Sequence, residues 1–151
     1  MIEFNDYSIK QALKKVQEEK TKADALAYIN PEIAEQHKDA GNALFKEGKF
    51  PDAIKEFDEG IKRDPSNKFI YSNRSFAYIK LLEPVRGMQD ADKCLELDPQ
   101  FVKGYARKAT CHQLQKEYHK AMEVFEKGLA IDPNNKECTD GMQKTMMLIQ
   151  T

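Results

Sequence analysis

One dipeptide recurs at a fixed step and limits this chain's folds more than any other feature. Asp-Pro occurs as Asp64-Pro65, Asp98-Pro99 and Asp132-Pro133, each copy 34 residues after the last. A step of that size marks a stack of similar supersecondary units. Other positions keep it. Gly41, Ser75 and Ala109 are small, as are Ala53, Gly87 and Ala121. Leu44, Tyr78 and His112 are larger; Phe57, Ala91 and Phe125 follow, then Gly60, Cys94 and Gly128. Small residues let two helices approach, and large ones fill the gaps beside them. Proline cannot continue a helix, so each Asp-Pro closes a unit. Within the unit, Gly48 suits a left-handed helix end, and Pro51 and Pro84 suit first helical turns. The pattern predicts helix pairs at 32–47 with 51–63, 67–81 with 84–97, and 101–115 with 118–131.

The 34-residue pattern resembles the tetratricopeptide repeat (TPR) over residues 32 to 133. The fold class is therefore all-α: a TPR solenoid of three helix-turn-helix repeats, in the register 34–67, 68–101 and 102–135. The expected domain layout is an N-terminal linker helix in 1–30, repeats in 31–134 and a capping helix in 135–151. Solenoids need a cap over the last repeat. The stripe Cys138, Met142, Met146 and Ile149 is expected to make that contact. The N-terminal flank, about 7–28, is heavily charged, with Ile9, Leu13 and Val16 on one narrow apolar stripe. That stripe suggests a partner outside this sequence. The chain is thus expected to be a piece of a longer protein, begun at Met1, and the helix is a candidate for self-association. Asn30 and Pro31 form a cap and first turn for the next helix.

Composition excludes several classes. Among 151 residues, 24 Lys+Arg face 25 Asp+Glu, for a net charge of -1. Non-specific nucleic-acid binding would need a basic excess. Apolar residues are 40% and charged residues 32%, too polar for a membrane protein and too apolar for a disordered tail. The start, MIEFNDYSIK, has neither the basic region nor the apolar run of a signal peptide. The three cysteines, Cys94, Cys111 and Cys138, form no Cys-x-x-Cys pair, which points to a reducing compartment, cytosol or nucleus.

The candidate site lies on the first helix of each repeat, because those helices line the concave surface of such an array. With Ala34, Lys68 and Val102 as first positions, Lys38 is at position 5, Asn42 at 9, Asn73 at 6, Lys103 at 2 and Arg107 at 6. Positions 2, 5, 6 and 9 share one helix face. All five side chains donate hydrogen bonds, and none is an anion. Such a set suits a ligand with several carboxylate oxygens, such as a terminal aspartate. Its arrangement has a cost: Lys103 and Arg107 are like charges one turn apart, and Asn is a poor mid-helix residue.

At these residues a narrower resemblance emerges. Lys38-x-x-Gly41-Asn42, Tyr71-Ser72-Asn73-Arg74 and Lys103-Gly104-Tyr105-x-Arg107-Lys108 resemble the dicarboxylate clamp of co-chaperone TPR domains. Ala27-Tyr28-Ile29-Asn30-Pro31, Ile61-Lys62-Arg63 and Lys80-Leu81-Leu82-Glu83 resemble the third TPR domain of the heat-shock-organising co-chaperones. The resemblance implies a cytoplasmic adaptor. Its partner would be the C-terminal Glu-Glu-Val-Asp tail of the seventy- and ninety-kilodalton heat-shock chaperones. Lys38, Asn42 and Asn73 would hold the main-chain carboxylate, and Lys103 and Arg107 the last aspartate's side chain. Phe45 and Phe76 would line the groove beside the clamp. Phe76 departs from relatives, which more often carry a small residue there. No nucleophile–base pattern, phosphate loop or metal spacing points to an enzyme or a cofactor, and Cys111-His112 with His119 makes no ligand cluster. The alternative is a structural TPR scaffold that binds a folded partner by another surface.

Overall fold

The structure, a computed structural model, describes residues 5–151, apart from the side chains of residues 25–27. Met1 and the Ala27 side chain lie outside the described residues. The described residues form α1 (Asp6–Tyr28), α2 (Pro31–Lys46), α3 (Phe50–Arg63), α4 (Lys68–Lys80), α5 (Pro84–Leu97), α6 (Val102–Leu114), α7 (Tyr118–Ile131) and α8 (Lys136–Gln150). All six repeat helices expected from the sequence are present, with ends within two residues of those expected. Helices α2/α3, α4/α5 and α6/α7 pack as antiparallel pairs that stack in chain order, and α8 closes the last pair.

The Asp-Pro dipeptides act as the repeat predicts. Each aspartate accepts a backbone N–H two residues on: Asp64 from Ser66 at 3.2 Å, Asp98 from Gln100 at 3.0 Å, Asp132 from Asn134 at 3.2 Å. These are Asx turns. Tyr71 and Tyr105 then donate their hydroxyls to the carbonyls of Pro65 and Pro99, at 3.1 and 2.8 Å. Asn30, Asn67 and Asn135 cap the helices that follow, each accepting from N–H groups of the first turn.

The turn inside each pair also repeats. Gly48, Leu82 and Lys116 occupy the same step and all have positive φ, at 79°, 57° and 62°. Only the first is a glycine, so the second and third turns carry local strain.

Helix pairs interlock through small residues. A Cβ at Gly41 would stand 2.7 Å from Cδ1 of Phe57, so the fully buried Phe57 ring occupies space that only glycine leaves open. Ser75 donates to the carbonyl of Gly87 at 2.8 Å, tying α4 to α5. Arg74 lies beneath, bonded to Asp90 at 2.7 and 2.9 Å and to Asp58 at 2.9 Å. Burial pushes the Asp90 carboxyl up, against the opposing pull of the Arg74 guanidinium.

The cap differs from the sequence expectation. Cys138 is buried and Met142 packs against the last core cluster, as expected, but Met146 and Ile149 are exposed. The inward-facing line instead runs through buried Cys138 and Thr145, with half-buried Gly141 between them. Phe125 sets that rotation: a Cβ at Gly141 would lie 2.9 Å from its Cε2, so the bare backbone of Gly141 must face the ring. Thr145 follows one turn on, donating to the carbonyl of Gly141 at 2.7 Å and accepting from Gln113 Nε2 at 3.0 Å. Along α1, Ile9, Leu13 and Val16 are all exposed. Its C-terminal end is tied down, with the Arg63 guanidinium 4.0 Å from the centre of the Tyr28 ring.

Candidate functional site

Helices α2, α4 and α6 stand side by side, with α4 between the other two. By register Lys38, Asn42, Asn73, Lys103 and Arg107 share one helix face, whereas Ser72 and Ala106, at position 5 of the second and third repeats, are buried in the array. The structure joins Asn42 to Asn73 directly, and it treats the two ends of the set differently.

At the first-repeat end, Asn73 Nδ2 donates to Asn42 Oδ1 at 2.8 Å, across from α4 to α2. Both amides are half-buried. This bond leaves Asn42 its two amide donors and Asn73 one more for a ligand. Lys38 is one turn before Asn42, its ammonium paired with Glu35. The Lys38 ammonium also lies 5.7 Å from the centre of the Phe69 ring.

At the third-repeat end, Lys103 is exposed. Arg107 is only 7% exposed. Its guanidinium lies 4.1 Å from the centre of the Phe76 ring, and Nη1 donates to Glu137 of α8. Its Nε is buried without a hydrogen-bond partner. The like-charge cost of Lys103 and Arg107 is thereby relieved. Arg107 turns back onto a carboxylate while Lys103 reaches into solvent.

Phe45 and Phe76 form the floor between these ends. Their ring centres are 4.9 Å apart with a 33° tilt, and Phe50 meets Phe45 edge-on at 5.1 Å. Both rings are half-buried, so Phe76 serves core and groove at once. Lys80 adds an ammonium 5.2 Å from the Phe76 ring centre.

Three residues of this face were missed from the sequence: Glu35, Phe69 and Glu137. All belong to one row. Glu35, Phe69, Lys103 and Glu137 are successive copies of position 2, and extending the 34-residue step once more would have found Glu137. Phe69 is 48% exposed and meets Phe101 edge-on at 5.4 Å. Beside it Lys68 bonds Asp98 at 2.5 Å, which holds the Asp98 carboxyl below its usual range.

Burial pushes the Cys94 and Cys111 thiols up to about 12, far from reactive thiolates. Among the described residues, no three His, Cys, Asp or Glu side chains gather as a metal site would require. His112 is half-buried, with Nδ1 3.1 Å from Glu117, and His119 is exposed. No helix among the described residues is long and apolar enough to cross a membrane.

Comparison with known proteins identifies the family. The tetratricopeptide repeat family matches residues 102–135. The Hsp70-Hsp90 organizing protein of Triticum aestivum is 45% identical over 87% of this chain, which covers 23% of that protein. The solved TPR2B domain of yeast Sti1, in its complex with pHsp70, superposes with a TM-score of 0.71 at 32% identity, covering 76% of this chain and 97% of that one. The second TPR domain of human RPAP3, in complex with the HSP70 peptide SGPTIEEVD, gives a TM-score of 0.72 at 31% identity, covering 78% and 98%. The chain belongs to the tetratricopeptide-repeat family. Within it, the chain is homologous to the TPR regions of the Hsp70–Hsp90 organizing proteins. It spans less than a quarter of the length of the wheat and Arabidopsis thaliana organizing proteins that it matches.

Proposed function

We propose that this domain is a co-chaperone adaptor that captures the C-terminal Glu-Glu-Val-Asp tail of cytosolic heat-shock chaperones. Lys38, Asn42 and Asn73 hold the terminal main-chain carboxylate. Lys103 and Arg107 take the last aspartate's side chain. The Phe45–Phe76 floor receives the apolar side chain next to it. In this reading the chain is the third TPR domain of an organizing co-chaperone, acting in the cytoplasm. Its units are a linker helix in 1–30, the repeats in 31–134 and the cap in 135–151.

One observation carries the reading: the Asn42–Asn73 amide pair, set among three cations in one groove. Amides and cations together can surround carboxylate oxygens from several sides, and charge-assisted bonds are the strong ones. The relatives solved with chaperone peptides support the same chemistry. A short tail buries little surface, so a Kd near micromolar is expected, roughly -8 kcal/mol. Binding should weaken as salt rises, because the groove steers an acidic tail.

The test is Asn73→Ala together with Lys103→Ala, each titrated with a free-acid peptide ending in Glu-Glu-Val-Asp. Both variants should lose affinity while their helical circular dichroism stays that of the parent. Parental affinity in both would refute the clamp.

A further inference from the structure

The arginine of the groove already holds a carboxylate. Arg107 is 7% exposed, one face covered by the Phe76 ring and Nη1 bonded to Glu137. Glu137 comes from α8, outside the three repeats that build the groove. Its own side chain is 41% exposed, so it can leave without unpacking anything. The guanidinium could not do the same. It is wedged between ring and helix, with Nε orphaned. The pair is therefore asymmetric: a fixed cation and a movable anion.

We propose that Glu137 is an internal competitor for the clamp, a carboxylate that occupies Arg107 in the unliganded domain and yields it when a ligand carboxylate arrives. This rests on the assignment of Arg107 to tail binding. Ligand capture at this end is then an exchange of one carboxylate for another. An exchange returns less free energy than filling a vacant site, because the first ion pair must be given up. Glu137 thus sets how tightly the groove holds its ligand. It also links the first turn of the capping helix to occupancy of the groove.

A glutamate in the first turn of a helix has a purely local rationale, since it complements the helix dipole. That rationale predicts no effect on ligand affinity. Exchange makes a directional statement instead. Glu137→Gln keeps the shape and a weak acceptor but removes the charge, leaving a buried guanidinium without its counter-ion. Only a ligand carboxylate can then supply one. The variant should melt slightly lower when empty and gain more melting temperature from ligand.

The experiment titrates a free-acid peptide ending in Glu-Glu-Val-Asp into the whole chain and two variants, Glu137→Gln and Asp140→Asn. Asp140 is exposed and lies three residues further along α8, whereas the carboxylate paired with Arg107 is that of Glu137. Its variant carries the same change in net charge and so reports the general electrostatic effect. Glu137→Gln should bind about three- to tenfold tighter than the parent, and Asp140→Asn less than twofold. Equal tightening in the two variants would assign the effect to net charge and overturn the exchange. Weaker binding by Glu137→Gln would overturn it too, by making Glu137 a support that aims the arginine. Failure of the parent chain itself to bind would instead refute the tail-binding assignment, whatever the variants do.

Discussion

Adjacent residues on the same helices face opposite fates. Gly41 is buried against the Phe57 ring, while its neighbour Asn42 bonds Asn73 across the groove. Gly104 is buried, while Lys103 beside it reaches into solvent. Ala106 is 1% exposed within the last core cluster, and Arg107 meets Phe76 and Glu137. One face of each first helix holds the array together by close approach and ring packing. The other gathers donors; Lys103 among them is exposed, whereas Arg107 also ties α6 to α8 through Glu137. Stability and binding should therefore be separable by substitutions one residue apart.

The core face offers the largest effect. Phe57→Ala should cost about 3–5 kcal/mol, the usual penalty for emptying a buried aromatic site. Urea unfolding should show it, and tail binding should fall only as the folded fraction falls. A midpoint equal to the parent's would mean that the ring is not the keystone of the first pair. Next comes the groove. Lys103→Ala should weaken binding of an acidic tail by roughly tenfold or more, since a charge-assisted bond is worth about 1.5–3 kcal/mol. Its unfolding midpoint should stay within about 0.5 kcal/mol of the parent, as befits an exposed site. A Lys103→Ala domain that unfolds more readily would merge the two faces and spoil the separation.

The turns give a third and smaller handle. Leu82 holds a φ of 57° where the first repeat has Gly48. Leu82→Gly should relieve strain of about 1 kcal/mol, partly offset by the extra chain entropy that glycine loses on folding. A modest rise in melting temperature with unchanged tail affinity would sharpen the comparison, because the gain comes from neither face.

The weakest lever is acid. Lys68 holds the Asp98 carboxyl below its usual range. A carboxyl depressed in the folded state contributes stability above its unfolded pKa, and that contribution fades as pH falls through the folded value. Asp98→Asn should thus narrow the gap in melting temperature between neutral and acid pH, without altering the groove. An unchanged gap would show that the Lys68–Asp98 pair is solvated and idle.

Most of the fold was legible because each repeat writes the same instructions. Asp turns the chain, Pro stops the helix, and small residues mark where helices meet. The amide pair was legible for the same reason: register alone puts Asn42 and Asn73 on adjoining helices. What escaped notice lies where the repeat gives way to the cap. The apolar stripe of α8 selected Met146 and Ile149, yet Gly141 and Thr145 face inward, because a ring sought bare backbone and a hydroxyl found two partners. Counting apolar residues cannot register either event. The burial of Arg107 was hidden too, since its partner Glu137 belongs to that same cap. Phe69 escaped because position 2 was read for charge alone.

The most direct test of the groove compares two peptides of identical sequence ending in Glu-Glu-Val-Asp, one a free acid and one amidated, by titration calorimetry on the whole chain. Micromolar binding of the acid with at least tenfold weaker binding of the amide is the expected result, because the amide removes one of the carboxylates the donors surround. Equal affinity for the two peptides, or none for either, would contradict terminal-carboxylate capture and turn attention to the other surfaces of the array.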